Sequence, residues 1–321
     1  MRDHTATEAF PSINAGYASV FRPGQLSLGL VAPLEAYEVG AQPTMQQHLE
    51  LAQLADRLGF AALWLRDVPF DVPSFGDPGQ IYDPFVYLGT LAAATQRIAL
   101  GTASIILPLR HPAHVAKAAA TADVLSGGRL LLGIASGDRP EEYPALNMSF
   151  EDRGERFRER FAYIRAVGGN HPRHQGTHGA LDGRIDMLPK PTGPRLPLLV
   201  TGGSRQSPNW TALHGDGWIT YPRATPAQAQ VVADFRRHTA EVGERPKPVM
   251  QSLYVDLIED DGTPPSPIHL GFRSSPTFLR RYLEELQALG INHVALNLRF
   301  NRAPVDVTLQ RIADELLPDF S

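Results

Sequence analysis

A (β/α)8 TIM barrel, an α/β fold, is what this sequence predicts, and three observations lead to it. One device recurs along the chain: an amphipathic helix stops at a glycine, an apolar strand follows at once, and a polar residue marks the strand's end. It is plainest at residues 51–67 and 283–300, with shorter echoes in LSGGRLLLGIASG and ALHGDGWITYPR. The stretch from Ile98 to Arg139 spells a complete strand–helix–strand unit, and right-handed crossovers lay such strands parallel. Finally, 321 residues suit one large barrel of roughly 250 residues with insertions and a tail. A single barrel domain over residues 26–321 is therefore expected, after an N-terminal tail at 1–25.

The elements follow in order. Leu26–Ala32 is the first apolar run and the first strand. Leu51, Leu54, Ala55 and Leu58 share a helix face that ends at Gly59, so Ala61–Arg66 is the second strand. Ile98–Ser104 is the third, followed by an alanine-rich helix at Pro112–Leu125. Gly127 and Gly128 stop that helix because glycine takes the left-handed conformation helix ends favour. Strands at Leu130–Ala135, Leu198–Thr201, Gly217–Thr220 and Val249–Ile258 continue the series. His293–Leu298 completes it, after a helix bearing Leu283, Leu286 and Leu289 that ends at Gly290. Two connections exceed ordinary length, Asp67–Asp83 and Gly168–Pro197, and both are expected to cover the barrel mouth. The second is rich in glycine, proline and histidine and is expected to be an irregular, mobile cover.

Composition excludes several function classes. A formal charge of −4 without long like-charged runs gives no electrostatic reason to bind nucleic acid or an acidic membrane. The absence of cysteine removes disulfides, thiolate metal sites and a cysteine nucleophile. The N-terminus lacks the basic start and apolar stretch of a signal peptide, and no apolar run has membrane-spanning length. A cytoplasmic enzyme acting on a small molecule is the expectation.

Barrel enzymes carry their chemistry at the C-terminal strand ends, and polar residues gather there: Arg66 and Asp67, Arg110 and His111, Asp138 and Arg139, and Arg299. Ser136 follows the fourth strand. His111, Asp67 and Arg66 are the candidate catalytic residues, with His111 and Asp67 the proton donors to test first. In TGGSRQSPNW, Gly202 and Gly203 would let backbone amides approach a ligand, while Ser204 and Ser207 offer hydroxyls at a helix start. Serine before a helix is also the common cap, and the local sequence leaves both readings open. His171, His174 and His178 lie in HPRHQGTHG, where proline and glycine break helical spacing, so no metal site is expected.

The phrases LPLRHPAHVAKAAATADVLSGGRLLLGIASGDR and PLLVTGGSRQSPNWTALHGDGW resemble the bacterial luciferase-like family of flavin-dependent oxidoreductases. That resemblance implies FMN at the C-terminal mouth, its phosphate held by Ser204 and Ser207 in the Gly202–Gly203 turn and by Arg153. It also implies a non-proline cis bond at Ala103–Ser104 beneath the flavin ring. Ser136 stands where the luciferase has a second phosphate-binding arginine, which throws more weight on Arg153. The segment after the second strand lacks the luciferase's histidine, so light emission is not implied. The activity expected from the resemblance is a monooxygenase using reduced FMN from a separate flavin reductase, with homodimers paired through helices such as Pro112–Leu125. Two alternatives share the barrel: a reductase or dehydrogenase using an 8-hydroxy-deazaflavin, and a flavin binder without turnover.

Overall fold

The computed structural model describes residues 9–320. In chain order come α1 (Ala15–Val20), β1 (Ser27–Val31), α2 (His48–Leu58), β2 (Ala62–Leu65), α3 (Pro84–Ala94), β3 (Ala99–Ile106), α4 (Pro112–Leu125) and β4 (Leu130–Ala135). Then follow α5 (Glu142–Ala145), α6 (Arg153–Val167), β5 (Arg173–Gly176), β6 (Gly179–Asp182), β7 (Leu198–Thr201), α7 (Pro208–His214) and β8 (Gly217–Thr220). The chain closes with α8 (Thr225–Glu241), β9 (Val249–Leu257), β10 (Ser266–Ile268), β11 (Gly271–Ser274), α9 (Pro276–Leu289), β12 (His293–Asn297) and α10 (Val305–Glu315).

Strands β1, β2, β3, β4, β7, β8, β9 and β12 pair in parallel in that cyclic order, which is the expected (β/α)8 barrel. Helix boundaries follow from local chemistry. Glycines 59 and 290, at φ 94° and 91°, end α2 and α9 in the left-handed conformation. The Asp83 side chain accepts from the first amides of α3, and Ser275 does the same for α9.

The interior is filled from within rather than left as a pore. Trp64 and His293 are fully buried at its centre, and the strands make room for them with glycine. A Cβ on Gly101 would fall 2.3 Å from the Trp64 ring, and one on Gly29 would fall 2.6 Å from His293. Trp64 Nε1 donates to His293 Nε2 at 2.8 Å, and His293 Nδ1 meets Ser27 Oγ at 2.7 Å. Burial pushes this imidazole down to about 3. A second and larger apolar layer joins the outer strand faces to the helices.

Residues 1–8 of the expected tail lie outside the described residues. The remainder of that stretch holds α1, which packs across the N-terminal end of the barrel: Tyr17 Oη donates to Asp216 O at 2.6 Å, and Gly16 N to Gly128 O at 2.8 Å.

Two hairpins lie where the sequence pattern indicated none. In the segment 168–197, expected to be irregular, β5 and β6 pair antiparallel from Arg173↔Asp182 to Gly176↔Gly179. Gly179, at φ 108°, turns the chain. This hairpin leans on α6, with His174 against Tyr163 and Thr177 bonded to Glu159, so it flanks the helical ring, and His178 at its turn meets His111 at the start of α4. The second hairpin, β10–β11, extends β9 at the mouth side.

Candidate active site

The connection 67–83 does cover the mouth, and Asp77 fastens it there. Asp77 Oδ2 receives Arg66 Nη1 at 2.6 Å and Arg299 Nη1 at 3.1 Å. Its Oδ1 accepts from Tyr37 Oη at 2.8 Å and from Gly79 N at 2.9 Å, while Tyr254 Oη reaches Oδ2 at 3.3 Å. Arg139 Nη2 donates to the Asp77 carbonyl at 2.8 Å. One residue of the β2 connection is thus tied to the loops after β1 and β4, to β9 and to the end of β12. Burial opposes a charge on Asp77, but Arg66 beside it pulls the carboxyl down to about 2. Burial, with Asp77's charge alongside, pushes the Tyr37 hydroxyl up. Sequence reasoning found Arg66, Arg139 and Arg299 but missed Asp77, whose local sequence FGDPGQ reads only as a turn.

Asp67, expected as a proton donor, is held in an ion pair at the end of β2. Arg110 grips both its oxygens, at 2.8 and 2.7 Å, and Ile106 N donates to Oδ2. Arg110 also reaches Asp83 at 2.8 Å, which joins the ends of β2 and β3 to the start of α3. His111 caps α4, its Nδ1 accepting from Ala113 N at 3.3 Å. Its ring meets His114 and His178 edge-on, each at 5.5 Å, so its neighbours belong to the flanking hairpin and α4 rather than to the Asp77 cluster. His174 faces Tyr163 while His178 faces His111; the three histidines of that segment do not converge.

Across the mouth, the residues suggested for a phosphate come together. Gly202, Ser204 and Arg205 have φ of 54°, 42° and 58°, so the turn after β7 bends its backbone tightly. A Cβ on Gly203 would meet nothing within 4 Å, which leaves that side of the turn open. Gln206 Nε2 bonds Gly154 O at 2.8 Å, and a Cβ on Gly154 would fall 2.8 Å from the Arg205 Cβ; glycine at 154 lets the start of α6 dock on the turn. Arg153 lies there, stacked 3.5 Å over the Phe150 ring and donating to Phe150 O at 2.6 Å. Its Nε is buried and has no hydrogen-bond partner.

Ser204 Oγ donates to Thr201 O at 2.7 Å, and Ser207 caps α7 by accepting from Trp210 N at 3.2 Å. The cap occupies an acceptor site on Ser207 and leaves its hydroxyl hydrogen to donate. The Ala103–Ser104 bond is cis, and the Ser104 hydroxyl touches that of Thr201. Ser136 is buried at the end of β4, with its carbonyl accepting from Tyr143 Oη. Arg160, on α6, is buried and bonded to Pro108 O.

The loop after β4 supplies one acid that sequence reasoning did not single out. Glu142 is buried, its Oε1 has no hydrogen-bond partner, and burial pushes its carboxyl up to about 7.

The family model described as luciferase-like monooxygenase matches residues 24–261. The 4-hydroxyprotoasukamycin monooxygenase of Streptomyces nodosus subsp. asukaensis is 31% identical over 183 residues, 55% of this chain and 47% of that one. This chain therefore spans about half the length of that relative. The solved structure of the oxygenating constituent of 3,6-diketocamphane monooxygenase from Pseudomonas putida, in complex with FMN, superposes with a TM-score of 0.70 at 16% identity, covering 92% of this chain and 99% of that one. An F420-dependent secondary alcohol dehydrogenase bound to an F420-acetone adduct gives 0.73 at 18% identity, covering 92% and 99%.

Proposed function

We propose a flavin-dependent oxygenation from one premise: this chain belongs to the luciferase-like monooxygenase family, whose model matches residues 24–261. The chain is an oxidoreductase, and the finer reading is a monooxygenase that takes reduced FMN from a separate flavin reductase and oxidises a small organic substrate with oxygen. Reduced flavin, when bound, supplies the electrons that activate oxygen.

The observation that carries this reading is the buried, unpartnered Arg153 Nε at the start of α6, whose next residue, Gly154, docks on the open turn after β7. A guanidinium N–H with no internal acceptor suits a phosphate dianion, so the residues fit the group. Arg153, Ser204 and Ser207 would hold the phosphate, and Gly202 and Gly203 would let backbone approach it. Ala103 and Ser104, small residues at the end of β3, and Ser136 at the end of β4 would border the ring. The 67–83 connection, tied down by Asp77, keeps water from the mouth, as oxygen chemistry on reduced flavin requires. Glu142 is an acid whose burial keeps a proton on its carboxyl near neutral pH, which suits it to supply one.

The test is a titration with oxidised FMN, reduced FMN and an 8-hydroxy-deazaflavin, followed by mixing the reduced complex with oxygen in a stopped-flow spectrometer. Preferential binding of reduced FMN, with reoxidation kinetics that differ from free flavin, supports the monooxygenase. Preference for the deazaflavin transfers the site to hydride chemistry. Flavin binding without turnover on a broad substrate panel indicates a binder, and failure to bind either cofactor overturns the proposal.

A further inference from the structure

The mouth contains more buried cation than buried anion. Arg66 and Arg299 share one carboxylate, Asp77. Arg139 does not reach that carboxylate and touches only the Asp77 carbonyl. Among the described residues the one carboxylate within 4 Å of Arg139 is Glu142, at 3.9 Å, which is too far for a hydrogen bond. Near neutrality Glu142 carries only a fraction of a charge, because burial has raised its pKa. Arg139 Nη1 and Glu142 Oε1 both lack hydrogen-bond partners, and the Arg139 side chain is only 5% exposed. Asp138, the next acid along the chain, is exposed to solvent.

A buried guanidinium with a free N–H and no full counter-charge is costly unless something answers it. One face of Arg139 is occupied, since it stacks 4.1 Å over Phe75. That ring lends some cation–π support but accepts no hydrogen bond in the guanidinium plane. Phe75 is itself 43% exposed, and Phe70 on the same connection is 41% exposed. An apolar rim thus leads to an under-neutralised cation just after β4, which meets Asp77 at its carbonyl while Arg66 and Arg299 hold its carboxylate.

We infer that this is a binding subsite for an anionic substrate group. Arg139, with the positive field of Arg66 and Arg299 behind it, takes a carboxylate, and Phe75 and Phe70 receive the apolar body that carries it. Only the word substrate rests on the oxidoreductase reading; the anion subsite stands on the charges themselves. Its anchoring differs from that of the phosphate grip, because Arg139 bonds the Asp77 carbonyl whereas Gly154, the residue after Arg153, is docked on the turn after β7.

The experiment uses phenylacetate and its neutral isostere phenylacetamide, titrated calorimetrically into the full chain with and without saturating FMN. Phenylacetate is expected to bind about tenfold or more tightly than the amide, to remain bound with FMN present, and to lose its advantage in Arg139→Gln. Arg153→Ala should leave that preference unchanged. Arg139→Lys, which keeps the charge without the fork, should retain part of the preference and serves as the deciding variant if Arg139→Gln melts before wild type. Equal affinity for acid and amide overturns the subsite. So does displacement of phenylacetate by FMN, or dependence on Arg153 in place of Arg139, since either would put the anion in the phosphate grip. A chain that prefers phenylacetate yet binds no flavin sinks the oxygenation reading and leaves the subsite standing.

Discussion

Trp64 donates its indole N–H to His293 Nε2 across 2.8 Å at the centre of the barrel. The acceptor role of Nε2 puts the imidazole proton on Nδ1, facing Ser27 Oγ at 2.7 Å. Protonating Nε2 would break the bond to Trp64 and bury a charge among apolar strands.

Stability should therefore depend on pH through His293. Its pKa is pushed from 6.5 to about 3 by burial, so between those values the unfolded chain binds more protons than the folded one. Stability from this residue is complete above the unfolded pKa and is lost as the pH falls toward 3. Glu142, whose pKa is raised to about 7, contributes the opposite slope, so the comparison must be made between variants. In His293→Gln the decline in Tm from pH 7.5 to 5 should be visibly shallower than in wild type. Equal declines by calorimetry would remove His293 from the account.

Gly101→Ala should destabilise the barrel, because the added methyl falls 2.3 Å from the Trp64 ring and overpacking of this kind costs roughly 1–3 kcal/mol. Combining it with Trp64→Leu, which vacates that volume, should recover part of the loss relative to the sum of the two single variants. Strict additivity in denaturant melts would mean that the two residues do not share the space.

Asp77→Asn removes the charge that answers Arg66 and Arg299 while keeping the side chain's shape. The fold should survive with a loss of about 1–3 kcal/mol. Amides of the 67–83 connection should exchange about tenfold faster or more, since local opening loses its main tie. Unchanged exchange there would show that the connection is held by something other than Asp77.

Arg153→Ala, and separately the pair Ser204→Ala with Ser207→Ala, should each weaken FMN binding by about 1.5–3 kcal/mol with the Tm close to wild type. Measured by fluorescence titration, an unaltered FMN affinity in both would displace the phosphate from this turn.

What was legible in the sequence divides along a physical line. Barrel strands are short apolar runs, so β4 and β8, which begin just after a helix-ending glycine, and β7, which follows Pro197, are read to the residue. The mouth is another matter. Asp77 draws on Tyr37, Arg66, Tyr254 and Arg299, partners scattered across the chain that meet only once the barrel closes. The β5–β6 hairpin escaped notice for a different reason: Arg173–Asp182 is largely exposed on both faces, so it carries none of the alternation that marks a half-buried strand. Its only local sign was GTHG, a turn between two polar runs. Arg153 and Ser204 were reached through resemblance, and the docking of Gly154 on the turn is what explains why they stand together.

Helix α1 closes the barrel floor with Tyr17, and Trp64 with His293 fills the shaft above it. Among the described residues the floor end of the shaft is therefore plugged, and the Asp77 connection stands at the opposite end. If the proposed flavin and substrate both dock there, they share one approach, and cofactor and product would have to take turns at it.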